Sequence, residues 1–196
     1  MITDKQTYKQ YVKQDLLAYD IKKLSLYRRL SDDRLRFQLR LRRIEYLNNT
    51  AKGNPFKKFA YYFLQFFNHK LAIRLGYTIP INVFGPGLYI AHWGTVTVTS
   101  FAKVGQNCRI HTSTCIGNHL GAPVIGDNVY IGPGAKIFGN ITIGNNVAVG
   151  ANSVVNKSIP DNVTVGGIPA KVISQKTSLD AGVYSPDFLN YIQNGN

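Results

Sequence analysis

The sequence predicts a mainly β protein, a parallel β-helix of six-residue repeats with an α-helical appendage before it. Aliphatic residues recur at every sixth position between Val98 and Val155, apart from one break. Neither an α-helix nor an amphipathic strand keeps this period, whereas a β-helix does. A second observation is that residues 1–75 lack the period and space their apolar residues as helices do. We therefore expect a helical region over 1–75, a β-helix domain over 76–173 and a C-terminal tail over 174–196.

The repeat contains two columns of residues that are expected to point inward. The aliphatic column consists of Val98, Val104, Ile110, Ile116, Ile125, Ile131, Ile137, Ile143, Val149 and Val155. The second column, four places later, consists of Ala102, Cys108, Thr114, Val129, Ala135, Ile141, Val147, Ser153 and Ile159. Stacked coils would bury both columns in one continuous core. Glycine often follows the aliphatic position, and we expect it to supply the backbone conformations of the corners.

Three helices are predicted before the repeat: Thr3 to about Asp20, Ser31 to about Asn48, and Phe56 to about Leu75. The third is crowded with phenylalanine and tyrosine. One interpretation is that this helix packs against the β-helix and caps its open end. The other is that it lies in a membrane interface, assisted by nearby lysines and arginines. The two interpretations can hold for different faces of the helix.

The positive charge is concentrated in the helical part. Residues 1–80 contain 17 lysines and arginines against 6 acidic residues, whereas residues 81–196 contain 6 against 4. This asymmetry favours an anionic partner, such as an acidic glycan or the inner face of a membrane. The basic residues form no nucleic-acid recognition motif, so nucleic acid is not an expected partner.

The remaining bulk features favour a cytoplasmic location, at the inner face of a membrane if the basic helices bind it. No apolar run is long enough to span a bilayer, and the first residues lack the apolar core of a secretory signal. Cys108 and Cys115 are expected to be reduced thiols, because they do not form a Cys-x-x-Cys pair.

Two irregularities in the period mark candidate functional positions. The residue six places before Val98 is His92, where an aliphatic residue is expected. Nine residues instead of six separate Ile116 from Ile125, which predicts a protruding loop around His119. Departures from a regular pattern are expected at functional sites, and a loop beside an unusual histidine can form a pocket.

Four motifs carry a family resemblance: Ala91-His92-Trp93-Gly94, residues 131–137 (IGPGAKI), residues 143–155 (IGNNVAVGANSVV) and Gly167-Ile168-Pro169-Ala170-Lys171. On these motifs, the segment from Gly76 to Ile173 resembles the hexapeptide-repeat acyltransferases, which have left-handed β-helix folds. Within that family it is most similar to the serine acetyltransferase branch. The resemblance implies an acetyl-CoA donor, transfer of the acetyl group to a hydroxyl in a ternary complex, and homotrimers with active sites between subunits.

The resemblance also implies roles for particular residues. His92 matches the catalytic histidine, which would act as general base towards the acceptor hydroxyl. Backbone amides near Gly117 and Asn118 are the candidate donors to the oxyanion. The candidate acceptor-binding residues are Trp93, Asn82, His111 and His119. CoA would run past Gly134, Ala135, Gly150 and Ala151, with Lys157 and Lys171 near its phosphates; plain surface charge is the alternative for these two lysines.

Departures from the serine acetyltransferase pattern bear on the acceptor. Ala91 stands where those enzymes have an Asp, and the short loop ending Gly121-Ala122-Pro123 lacks their Arg-His-Pro run. Without these charged groups a neutral hydroxyl is favoured, which resembles the enzymes that O-acetylate sugars of capsular polysaccharide or exopolysaccharide. The alternative is serine O-acetyltransferase activity, and a different class is a non-catalytic glycan-binding β-helix module.

The histidine and its surroundings also limit the chemistry. No Asp or Glu occurs between Glu45 and Asp127, so we expect no local carboxylate on the His92 ring. A carbonyl, a polar side chain such as Asn82, or a distant segment would orient it instead. No metal is expected, because the 19- and 8-residue spacings of His92, His111 and His119 do not match the ligand pattern of carbonic-anhydrase-like β-helix enzymes.

Overall fold

A computed structural model describes residues 1–194 of the chain. Its helices are α1 (Lys5–Ala18), α2 (Leu26–Ser31), α3 (Asp33–Thr50), α4 (Pro55–Leu75) and α5 (Pro186–Asn194). Its strands are β1 (Tyr77–Thr78), β2 (Tyr89–Ile90), β3 (Val96–Val98), β4 (Lys103–Val104), β5 (Arg109–Ile110), β6 (Thr114–Ile116), β7 (Val124–Ile125), β8 (Tyr130–Ile131), β9 (Lys136–Ile137), β10 (Thr142–Ile143), β11 (Ala148–Val149), β12 (Val154–Val155), β13 (Thr164–Gly167) and β14 (Ala170–Ser174).

The strands form three sheets, and successive strands of the repeat alternate between them. Face A has the strand order β1-β3-β6-β9-β12, face B the order β4-β7-β10, and face C the order β2-β5-β8-β11-β13-β14. All pairs are parallel except β13 with β14. The chain therefore winds as a three-faced parallel β-helix, which confirms the predicted fold class. The turns between the faces are called the C–A, A–B and B–C corners below.

Both predicted inward columns line the core. Every member of the aliphatic column and of the second column exposes 8% or less of its surface. The helical region joins this core, because Phe37 and Leu41 of α3 and Leu71 and Leu75 of α4 belong to the same apolar cluster. The six-residue period thus identified the core correctly.

The glycines that directly follow the aliphatic column have a different role from the one expected. Gly126 does not adopt a positive φ, and a Cβ there would lie 2.8 Å from the backbone of Gly144 in the next coil. Its lack of a side chain therefore permits close stacking of coils. The left-handed backbone conformations at these corners belong largely to asparagines, such as Asn128 at φ 56° and Asn146 at φ 55°.

The left-handed asparagines at the B–C corner form a hydrogen-bonded ladder. Asn107 Nδ2 donates to Asn128 Oδ1 at 2.7 Å, and Asn128 Nδ2 donates to Asn146 Oδ1 at 2.8 Å. Asn146 continues the ladder to Asn162 at 2.7 Å. At its other end, Gln14 of α1 donates to Asn107 at 2.7 Å. The ladder therefore links the first helix to four successive coils.

Side chains from the helices satisfy the backbone of the first coil. Gln38 Nε2 of α3 donates to the carbonyl of Leu88 at 2.7 Å. The Tyr19 hydroxyl donates to the carbonyl of Ile90 at 3.1 Å and accepts from its amide at 3.2 Å. An open strand edge is thereby covered, as a solenoid end requires.

A buried ion cluster completes this cap. Arg42 and Asp15 are fully buried, and Glu45 is 1% exposed. Arg42 bonds Asp15 at 2.8 and 3.2 Å and Glu45 at 3.0 Å. Its guanidinium also donates to the carbonyls of Phe84 at 2.9 Å and Gly85 at 2.6 Å. The cluster joins α1, α3 and the first coil through one side chain.

The helices depart from the predicted ones in detail. α2 is a short helix that the sequence did not indicate, and its N-cap is Ser25, whose hydroxyl accepts from Arg28 N–H at 3.2 Å. The tail, expected to be irregular or briefly helical, forms α5, whose Phe188 packs on Ala18. None of the helices within residues 1–194 has the length and hydropathy needed to cross a membrane.

Candidate active site

His92 lies in the C–A corner, outside the core. Ile90 occupies the inward position, where it pairs with Ile110 of the next coil and is fully buried. Eight residues therefore separate Ile90 from Val98, and the extra two expel His92 into solvent. The expectation that His92 fills an aliphatic position was wrong, but the irregularity that singled it out is real.

A column of aromatic rings runs along face C at this corner. The His92 and His111 ring centroids are 6.1 Å apart, and the His111 and Tyr130 centroids are 5.2 Å apart. Burial, the positive charge of Arg109 and the nearby His92 imidazole together lower the pKa of His111 to about 4. At neutral pH His111 is therefore uncharged, so it can accept a hydrogen bond but adds no charge beside His92.

Three of the predicted CoA residues lie on the same corner as His92. Gly134 donates its N–H to Thr112 O at 3.0 Å, and Gly150 donates to Val165 O at 2.8 Å. Ala151 is exposed beside Gly150. The stacking of coils thus aligns Gly134, Gly150 and Ala151 below His92 along one edge of face A.

Ala135 does not share this exposed edge. Its side chain is fully buried in the core. Its N–H donates to Gly132 O at 3.3 Å and its carbonyl accepts from Cys115 N at 3.0 Å. The expectation that Ala135 contacts CoA is corrected, because both its side chain and its backbone groups are already engaged.

Four other predicted residues lie at the opposite edge of face A, at the A–B corner. The Gly117 N–H donates to Ile137 O at 2.8 Å, so it is not free to bind an oxyanion. Asn118 and His119 follow in the protruding loop, where the Asn118 side chain accepts from Gly121 N at 3.3 Å. Lys157 is exposed at the same corner, after β12. Within one chain, these residues are separated from His92 by the width of face A.

The last two predicted residues, Lys171 and Asn82, lie at opposite ends of the β-helix. Lys171 of β14 pairs with Gly166 at the far end of the His92 edge and is exposed. The Asn82 side chain instead forms reciprocal hydrogen bonds with Asn49 at 2.8 and 3.0 Å. Its N–H donates to Glu45 at 2.8 Å. The expectation that Asn82 orients His92 is therefore not met in the part of the chain that the structure describes.

Two residues that the sequence did not single out hold the backbone around His92. The Tyr77 hydroxyl donates to the His92 carbonyl at 2.8 Å, and burial raises the pKa of that hydroxyl well above its usual value. Arg34 of α3 donates to the carbonyl of Ala91. These contacts fix the peptide that carries the histidine, and only the three-dimensional packing of the chain reveals them. Across residues 1–194, no carboxylate hydrogen-bonds to the His92 ring.

A cavity of about 780 Å³ adjoins Trp93, next to His92. Its charged lining consists of Arg28, Asp32, Asp33, Arg34 and Arg74. Asp32 pairs with Arg34 at 3.2 Å, and Asp33 pairs with Arg74. The cavity thus offers both signs of charge beside the exposed Trp93 ring. Among the described residues, no group of three His, Cys, Asp or Glu side chains is arranged to hold a metal ion.

The known proteins that this chain resembles are transferases. The family of bacterial transferase hexapeptide (six repeats) matches residues 122–157. A serine acetyltransferase from Synechococcus elongatus is 40% identical over 45% of this chain and 38% of its own length. A serine acetyltransferase from Staphylococcus xylosus is 43% identical over 46% of this chain and 44% of its own. The crystal structure of serine acetyltransferase from Brucella abortus strain S19 is 30% identical, with a TM-score of 0.67, over 87% of this chain and 70% of that one.

The extent of these matches differs between sequence and structure. The chain spans less than half the length of the two curated relatives, and each sequence match covers less than half of this chain. The structural match also includes much of the helical region, because it extends over 87% of the chain. The chain therefore belongs to the hexapeptide-repeat transferases and has a serine acetyltransferase-like fold.

Proposed function

We propose that the protein is an acetyl-CoA-dependent O-acetyltransferase of the serine acetyltransferase type. The observation that carries this proposal is the exposure of His92 on the edge that also presents Gly134, Gly150 and Ala151. The family relationship supports it, since the similar proteins are named serine acetyltransferases. Acetyl-CoA is then a co-substrate that binds along this edge.

In the proposed reaction His92 acts as general base. Its neutral imidazole takes the proton from the acceptor hydroxyl as the hydroxyl oxygen attacks the thioester carbonyl. The carbon–sulfur bond then breaks, and the protonated imidazole returns the proton to the CoA thiolate. Tyr77 and Arg34 are positioning residues in this scheme, because they bind the carbonyls of His92 and Ala91 and not the ring.

The arrangement of the candidate residues favours a homotrimer. His92 and the glycine edge lie at the C–A corner, whereas Asn118, His119 and Lys157 lie at the A–B corner. A threefold assembly of parallel β-helices would bring the C–A corner of one subunit against the A–B corner of its neighbour. The Asn118 N–H of the neighbour is then our candidate oxyanion donor, since the Gly117 N–H already donates to the carbonyl of Ile137.

For the acceptor, the relatives favour L-serine over the sugar expected from the sequence. The charges that Ala91 and the short loop do not supply are present in the cavity beside Trp93. Asp32 or Asp33 would meet the ammonium group of serine, and Arg28 or Arg74 its carboxylate.

A sugar hydroxyl is the second candidate, favoured by two features of the same cavity. Four of its five charged groups already form the pairs Asp32–Arg34 and Asp33–Arg74, which partly neutralise one another. Trp93 is 72% exposed, and such a ring can stack on the apolar face of a sugar.

The test is acetyl-CoA-dependent thiol release with L-serine, simple sugars and de-acetylated polysaccharide compared as acceptors. We expect His92→Ala to lower kcat by about 10²–10⁴-fold with the preferred acceptor. His69→Ala is the matched control, because His69 is exposed on α4. Undiminished turnover in His92→Ala would refute the mechanism. Turnover on sugars but not on serine would transfer the assignment to the second candidate, and binding of glycan without thiol release would favour a non-catalytic module.

A further inference from the structure

The outward side of α4 is an exposed aromatic surface. The helix packs on the β-helix through Leu71 and Leu75, which expose 6% and 5% of their surface. Its opposite side, named the aromatic face, consists of Phe56, Phe59, Tyr62, Phe63, Phe66, Phe67 and Ile73, each between 42% and 84% exposed. Packing on the β-helix uses only one side of α4, so the other side remains available for the second role considered above, contact with a membrane interface.

The aromatic face is continuous. The ring centroids of Phe59 and Phe63 are 6.2 Å apart, those of Phe63 and Phe67 are 4.9 Å apart, and those of Phe66 and Phe67 are 5.4 Å apart. Seven large apolar side chains on one side of a 21-residue helix form a patch that proteins rarely leave in water. Such a patch indicates a surface that binds a partner.

The charge around this face is positive. α4 carries Lys57, Lys58, Lys70 and Arg74 and no acidic residue. Lys70 Nζ lies 4.4 Å from the centre of the Phe66 ring. Arg74 pairs with Asp33 of α3, whereas no acidic residue occurs in the sequence between Glu45 and Asp127.

The short helix α2 extends this surface beyond the end of α4. Its Leu26, Tyr27 and Leu30 are 71%, 80% and 58% exposed, and Arg28 and Arg29 lie between Tyr27 and Leu30 in the sequence. Tyr27 and Arg28 line the same cavity as Arg74 at the end of α4. The apolar and basic side chains thus continue across two helices.

We propose that the aromatic face of α4 docks on an anionic lipid bilayer, with the helix lying parallel to the membrane plane. Aromatic rings favour the interfacial region, and flanking lysines and arginines attract anionic headgroups. Charge decides against a second copy of this chain, because pairing two such faces would bring Lys58 and Lys70 of both helices together. The net charge of +13 for the whole chain favours the anionic surface further.

This docking is independent of the acetyl-transfer proposal, and it is tested without any acceptor. The full-length protein is sedimented with vesicles of phosphatidylcholine containing phosphatidylglycerol, and with vesicles of phosphatidylcholine alone. We expect binding to the anionic vesicles that weakens as salt rises, and much weaker binding to the neutral ones. The double variant Phe59→Ser/Phe63→Ser should bind anionic vesicles at least about tenfold more weakly, since two buried rings are lost.

Ile173→Ser is the matched control, because Ile173 is 66% exposed but belongs to β14, at the other end of the β-helix from α4. It should bind as the wild type does, and thermal unfolding shows whether each variant is folded. Equal binding of the double variant and the wild type to anionic vesicles would overturn the proposal. So would equal binding of the wild type to neutral vesicles. If the double variant alters the oligomeric mass in sedimentation equilibrium without lipid, the face is an interface between copies, and the lipid proposal fails.

Discussion

Replacing Arg42 with methionine should destabilise the fold strongly, because this side chain joins the helical region to the first coil. Methionine retains much of the side-chain volume, so the change removes chiefly the charge and the hydrogen bonds. The carboxylates of Asp15 and Glu45 would stay buried without their cation, and the carbonyls of Phe84 and Gly85 would lose a donor.

Loss of one partner from a buried ion pair costs about 3–5 kcal/mol. The value here should lie within this range and not above it, because other donors remain on the carboxylates. Asp15 still accepts from Gly87 N at 2.9 Å and Leu88 N at 3.0 Å, and Glu45 accepts from Asn82 N at 2.8 Å. For a chain of this length the loss corresponds to a fall in Tm of about 6–20 °C.

The assay is thermal and urea unfolding at one fixed protein concentration, since oligomers unfold in a concentration-dependent way. Arg43→Met is the control: Arg43 is the exposed neighbour, and its guanidinium lies 5.3 Å from the Tyr46 ring. It should lose less than about 1 kcal/mol. If the two variants differ by less than about 1 kcal/mol, the cluster does not couple helices to coils as argued. Neutralising both acids in the triple variant Arg42→Met/Asp15→Asn/Glu45→Gln should recover part of the loss.

Three other predictions concern the β-helix itself. Asn128→Ala should lower the free energy of unfolding by about 2–4 kcal/mol, because it loses two ladder hydrogen bonds and leaves alanine at a left-handed φ. Asn152 has nearly the same backbone conformation, with φ 55°, but lies outside the ladder, so Asn152→Ala should lose about 1 kcal/mol. Equal losses in urea titrations would contradict the role of the ladder. The pKa of His111 is lowered from 6.5 to about 4, so between these pH values the unfolded chain binds a proton that the folded chain does not. The free energy of unfolding should therefore fall as the pH is lowered from about 6.5 to about 4, and it should fall less in His111→Gln. Urea midpoints measured across this pH range test the prediction. Burial raises the pKa of the Cys108 thiol to about 12, so a disulfide reagent should react with Cys108 only on unfolding; equally fast native labelling of Cys108 and Cys115 would contradict this burial.

The repeat could be predicted well because its physical cause is local and periodic. Each coil needs inward residues at fixed intervals, so Val98, Ile131 and the rest of both columns are visible in the sequence and prove to be buried. The register around His92 was harder to predict. The inward residues Ile90 and Val98 are eight positions apart, but counting back six from Val98 leads to His92. Only the pairing of Ile90 with Ile110 identifies the true inward residue.

The surroundings of the candidate site depend on contacts between distant segments, which no spacing encodes. Arg34 lies 57 residues from Ala91, whose carbonyl it binds, and Gln38 lies 50 residues from Leu88. The helical spacing of α3 predicted an amphipathic helix but not which polar side chains would be turned towards the β-helix. Ala135 illustrates the converse error, since similarity to a motif suggested a contact surface where the period already required a core residue.

The loop after Ile116 has a consequence for protein engineering. Ile116 still pairs with Ile137, and Ile125 with Ile143, so the three additional residues disturb the strand pairing on neither side of the loop. The loop tip is free of the core, with Leu120 at 89% exposure. A loop of another length can therefore be grafted between Gly117 and Pro123 without rebuilding the scaffold. Under the proposed function, variants with an altered acceptor range should be obtainable from this one corner, while the edge that carries His92 stays unchanged.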